Sequence, residues 1–125
     1  MAYVLWSFGE TYSPEQVDVC RAYIAPYEPR FVFSGLDQDA VPGQIHPTLR
    51  DAIAALEPGD WLLAASFRRL TGFVNVGAMI LREVFARDAG IKTVDGFSVR
   101  REDETAGQLL ERWESPSWPV TRRLS

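Results

Sequence analysis

The chain carries a single cysteine, Cys20, and a single histidine, His46. One cysteine excludes an internal disulfide and a cysteine-rich zinc site, and one histidine excludes catalysis by a histidine pair. Any metal chemistry would have to rest on carboxylates, and neither a metal nor a cofactor is expected. Long apolar runs are absent too, so no segment reads as a membrane span. The N-terminal MAYVLWSFGE is a short apolar segment with no basic residues before it, unlike a signal peptide, which predicts a cytoplasmic location. Positive charge is in short supply, with 13 Lys and Arg against 17 Asp and Glu for a net charge of −4. That balance argues against sequence-independent nucleic-acid binding over the whole surface and leaves room only for a local basic patch. Twelve of the 13 basic residues are arginine, a bias that a GC-rich genome explains as readily as phosphate recognition.

What is present suits one compact domain. The chain has 125 residues, of which 46% are hydrophobic, enough for a real core and too few for two comfortable domains. Ala2 to Trp6 reads as a first strand. Ser13-Pro14-Glu15-Gln16 then combines an N-cap serine, a proline at the first helical position and a glutamine placed for a capping box. The helix it opens should run to about Ala25 with Val17, Cys20 and Ile24 on one side, before Pro26 and Pro29 lead into a second strand from Arg30 to Phe33. Residues 34–47 have turn chemistry without helical period and predict a long mobile loop.

A second helix opens at Pro47, carries Leu49, Ala52, Ile53 and Leu56 at helical spacing, and stops at Pro58-Gly59. Trp61 to Ala65 has the length of a buried strand. Residues 73–88 predict a helix apolar over much of its circumference, either deeply buried or partly an interface. Ile91 to Val94 and Phe97 to Val99 predict short strands, and Asp103 to Trp113 a last helix that Pro116 and Pro119 end. The alternation predicts an α/β fold, a three-layer α/β/α domain with a mostly parallel four- to five-stranded sheet. The domain spans 1–115, and 116–125 is a short tail.

The third strand delivers two adjacent arginines, Arg68 and Arg69, onto a turn at its carboxyl end. In an open α/β sheet ligands bind at that edge, so the pair could be an anion site with Ser7. Plain surface charge, with Arg68 solvated or paired with a carboxylate such as Asp37 or Asp39, is the competing reading.

The order of motifs resembles the catalytic domain of the serine recombinases, the resolvase/invertase family. The strongest match runs from Leu49 through Glu57-Pro58-Gly59-Asp60 to Leu63, followed by Phe67-Arg68-Arg69-Leu70. Family members have a similar L-x-P-G-D, an apolar strand and a leucine-aspartate-arginine-leucine-glycine-arginine motif. Tyr3 to Phe8 lies over the family's tyrosine-x-arginine-x-serine-threonine, Gln16 over a glutamine on the first helix, and Ser34-Gly35 over a serine-glycine after the second strand. The resemblance covers roughly residues 2–113 and implies a resolvase-like fold, with Ser7 at the position of a nucleophile that attacks a DNA phosphodiester and Arg69 among the groups that stabilise the developing charge.

No single motif is intact. Leu5 stands where the family has an arginine, His46 stands near another, Arg68 replaces the aspartate and Gly72 a further arginine. Removing one preorganised donor commonly costs about 10²- to 10³-fold in rate, so these losses together predict little strand cleavage. Nor is there an element for specific DNA recognition beyond Trp113; Arg122-Arg123 offers only a weak, salt-sensitive contact. DNA binding by the chain alone is therefore expected to be weak or absent.

The resemblance then implies a catalytically impaired domain, fitting a phage or mobile-element setting, that acts through a protein partner or a homo-oligomer, such as a recombinase, a host factor or a second copy in a dimer. Candidate interface residues are Met79, Ile80, Val84 and Phe85 on the third helix with Trp113 and Trp118 near the terminus, since aromatics commonly anchor interfaces. The enzymatic alternative keeps DNA strand transfer through Ser7, with DNA affinity supplied by a partner. A small-anion binding module at the same strand edge is the third reading.

Overall fold

Residues 1–114 are described by the structure, a computed structural model. Strand β1 is Tyr3–Gly9 and β2 Phe31–Leu36, joined through helix α1, Pro14–Ile24. Helix α2, Pro47–Ala54, leads to β3, Trp61–Ala64; α3, Val74–Ala86, leads to β4, Gly90–Thr93; β5, Ser98–Arg100, and α4, Glu104–Trp113, follow. The sheet order is β2-β1-β3-β4-β5, with the first four strands parallel and β5 antiparallel to β4. All four residues of β3 are buried, which is why that strand reads as a continuous apolar run and not as an alternation.

Alternation along the strands divides the core into two layers. On one face Leu5 and Leu63 pack with Val17, Cys20 and Ile24 of α1. On the other, Val4, Trp6, Leu62, Ala64 and Ile91 pack with Leu49, Ala52 and Ile53 of α2 and Ile80, Leu81 and Val84 of α3. The result is a three-layer α/β/α domain with a mixed, mostly parallel five-stranded sheet.

Asp60 ties the starts of three strands. Its carboxylate accepts hydrogen bonds from the Ala2 N–H at 3.0 Å and the Glu57 N–H at 2.8 Å, and pairs with the Arg30 guanidinium. Arg30 also donates to the Ala55 carbonyl at 2.7 Å. Burial by itself would raise the Asp60 pKa; the hydrogen bonds from Arg30, Glu57 and Ala2, with the charge of Arg30, more than offset it and hold the carboxyl below its ordinary value.

Three expectations need correction. Ser13 stands at the N-cap of α1 but its hydroxyl caps no backbone group; it donates to Glu15 at 2.9 Å, and Gln16 is committed elsewhere. Residues 34–47 are not one long loop, because β2 extends to Leu36, a 3₁₀ turn covers Asp37–Asp39, and Ile45 and His46 are buried. Pairing with β1 over six residues carries the second strand further than its apolar letters indicate.

The expected interface on α3 is the third correction. Ile80, Val84 and Phe85 are buried in the chain's own core, facing the sheet, so only Met79 among the four is exposed, at 37%. Trp113 is half-buried and serves intramolecular packing: its ring lies 5.4 Å from that of Phe67, and a Cβ on Gly77 would come within 3.1 Å of it. Small Gly77 is thus what lets α4 seat its tryptophan on α3. Arg82 of α3 adds a two-pronged ion pair to Glu114, at 2.8 and 2.5 Å. Trp118 and the tail at 116–125 lie outside the described residues.

Among the described residues no helix is long and apolar enough to cross a membrane.

Candidate functional site

The sequence of crossovers makes one place in the sheet special. The chain leaves β1 towards β2 through α1 on one face and leaves β3 towards β4 through α3 on the other, so the carboxyl ends of β1 and β3 flank a topological switch point. Such crevices are where open α/β sheets bind ligands. Ser7 lies near one end, and Arg68 and Arg69, in the 3₁₀ turn Phe67–Arg69, at the other.

Ser7 is closed to solvent. Its residue is 2% exposed and its hydroxyl donates to the Ser34 hydroxyl at 2.8 Å, across the ladder position where the two residues face one another. Neither a carboxylate nor the imidazole of His46 hydrogen-bonds it among the described residues. A serine hydroxyl is a poor nucleophile at its own pKa and needs an adjacent base or cation to become a good one. Here its polar neighbour is another neutral hydroxyl.

The next residue, Phe8, collects the surrounding polar groups. Gln16 of α1 accepts from the Phe8 N–H at 3.0 Å and donates to the Phe8 carbonyl at 2.8 Å, so its amide imitates a neighbouring strand. Arg69 donates to the same carbonyl at 3.3 Å, and its own carbonyl accepts from the Trp6 indole at 2.7 Å. The turn after β3 is therefore latched onto β1 by main chain and side chain together. Arg68 is exposed and has no hydrogen-bond or ion-pair partner among the described residues, so of the two alternatives for it, solvation or a pair with a carboxylate such as Asp37 or Asp39, the structure has the first.

His46 is a structural residue of the same neighbourhood. It sits at the N-cap of α2, where Nδ1 accepts from the Thr48 N–H at 3.0 Å, so the proton must be on Nε2, which donates to the Leu36 carbonyl at 2.8 Å. Both ring nitrogens are thereby committed. Its edge meets the rings of Trp6 at 5.5 Å and Phe8 at 5.7 Å. Gly35 has to be glycine in this cluster, because a Cβ there would stand 2.2 Å from the Trp6 ring and 3.0 Å from His46.

The structure brings Ser7, Gln16, Ser34 and Arg69 to one strand end, and leaves the cation on a main-chain carbonyl with the hydroxyl turned to another serine. Leu5, two residues before Ser7, is buried under α1. The Ser7–Ser34 contact and the pair of hydrogen bonds between Gln16 and the Phe8 main chain are not legible in the sequence, whose one signal for the first is a serine in each of two apolar strands. A groove of about 550 Å³ lies elsewhere, between α2 and α3, lined by Arg50, Ile53, Glu83 and Arg87, with Arg50 and Glu83 paired at 3.0 Å. No group of three or more His, Cys, Asp or Glu among the described residues is placed to hold a metal ion.

No protein-family model matches the chain, and no curated protein matches it.

Proposed function

We propose that the chain is a resolvase-like domain without useful strand-cleaving activity that works by binding protein, as a regulator of a recombinase or of a host factor. The family likeness draws support from convergence: Ser7, Gln16, Ser34 and Arg69 come from four separate motifs of the sequence and meet at one strand end. The observation that carries the loss of cleavage is the closed hydroxyl of Ser7, 2% exposed and spent on Ser34. Attack on a phosphodiester needs an exposed, activated oxygen with preorganised positive charge at the phosphate, and Arg69 is turned to the Phe8 carbonyl instead. With net charge −4, phosphate affinity must come from elsewhere if DNA is bound at all.

The test is a suicide DNA substrate that traps a phosphoserine adduct, read by denaturing gel and mass spectrometry. Wild type and Ser7→Ala are expected to give the same blank result at high protein concentration. An adduct on wild type that disappears in Ser7→Ala would make the chain an enzyme and overturn the reading.

A further inference from the structure

Strand β2 leaves two large apolar side chains in solvent, Phe31 at 48% and Val32 at 37% exposure, with Phe33 half-buried beside them. It is an edge strand that pairs with β1 on one side only, so alternate N–H and C=O groups along its outer side have no strand partner. Edges in folded proteins are commonly guarded by a lysine, a proline, a bulge or an inward-pointing charge. The stretch FVFSGL has none of the first three in its sequence or ladder, and no charge at all.

We propose that this edge pairs with β2 of a second copy of the chain, antiparallel about a two-fold axis at Phe33, joining two five-stranded sheets into one of ten strands. The inference rests on the reading of the domain as a protein-binding module and adds a second copy of the chain to the proteins it binds. An unpaired row of backbone donors and acceptors selects a strand as the occupant, and the side chains select this strand. Residues two apart share a face, so centring on Phe33 sets Phe33 against its own copy, Val32 against Ser34 and Phe31 against Gly35, each pair on matching faces. Charge favours the antiparallel direction: Arg30 precedes the strand and Asp37 follows it, so each end meets the opposite sign, whereas a parallel approach would bring like charges together. Asp37 and Asp39 have no ion pair within the described chain, and Arg30, although bound to Asp60, keeps 28% of its side chain exposed. A two-fold contact of this kind closes on itself and gives a finite dimer.

Equilibrium sedimentation of the full chain should give twice the chain mass, falling to one chain mass on dilution. Val32→Lys should sediment as a monomer with an unchanged circular dichroism spectrum, and Met79→Lys should remain a dimer. Mild oxidation should cross-link Phe33→Cys to its own copy but not Phe31→Cys; buried Cys20 takes no part. A monomer at every concentration, a dimer that survives Val32→Lys, a dimer lost in Met79→Lys, or a monomer that instead takes up an extended peptide of another protein would each overturn the pairing. The DNA adduct is a separate readout: a dimer that also forms an adduct removes the non-enzymatic reading and keeps the edge pairing, and an adduct-free monomer does the reverse.

Discussion

Cys20 shows how one buried side chain changes its chemistry. Desolvation among Leu5, Val17, Ile24 and Leu63 pushes the thiol up to about 11, because the thiolate loses its water and gains no partner. At pH 8 the folded chain should therefore show no reaction with a thiol reagent on a timescale that labels a free cysteine at once, and full labelling after addition of denaturant. Rapid labelling of the native chain would contradict the packing of α1 on the sheet. The place of Cys20 in the core was legible from its spacing to Val17 and Ile24, since a helix puts residues three and four apart on one face. The role of Ser7 was not, because a hydroxyl that ends in a pair with Ser34 looks the same in sequence as one that faces solvent.

Among the elements, α1 depends on a bond that its own N-terminal motif does not reveal. The sequence Ser13-Pro14-Glu15-Gln16 has the letters of a capping box, but Gln16 spans to β1 and bonds both main-chain groups of Phe8. Removing one side of a satisfied, buried pair leaves the other without a partner. Gln16→Ala is accordingly expected to destabilise the chain by about 1–3 kcal/mol, while Ser13→Ala, which loses only an exposed contact to Glu15, should cost under about 0.5 kcal/mol. Urea unfolding of the two variants distinguishes them, and equal losses would restore the capping role to Ser13. The α3 helix carries a similar lesson. Its breadth of apolar residues admits burial or an interface, and the choice falls to burial because β3 and β4 present one face to it while α4 seats Trp113 over Gly77 on another side.

At the scale of the whole molecule, stability should depend on pH through Asp60. The carboxylate is 3% exposed and joins Ala2, Arg30 and Glu57, the segments that precede β1, β2 and β3. Its folded pKa lies below the unfolded value of about 3.9. The stabilisation is thus complete well above that value and is lost as the pH falls through it towards the folded pKa, where the unfolded chain binds a proton that the folded one refuses. Asp60→Ala leaves a half-buried guanidinium without its closest carboxylate and frees the Ala2 and Glu57 N–H groups, and should cost about 2–4 kcal/mol at neutral pH while flattening the acid limb of the profile. Unfolding midpoints measured from pH 3 to 7 check both, and parallel acid limbs for variant and wild type would remove Asp60 from that role. By itself the sequence determined the number, order and type of the elements and most of the core, because proline and glycine punctuation and the periods of apolar residues are local signals. Tertiary structure alone decided that the hydroxyl of Ser7 is closed by Ser34, that Gln16 and Arg69 converge on Phe8, and that Phe31 and Val32 of the edge strand β2 stay exposed while Ile80, Val84 and Phe85 of α3 are buried. Those outcomes depend on which strand lies beside which and on what covers each face, and residues 27 or 61 positions apart leave no local mark of their contact.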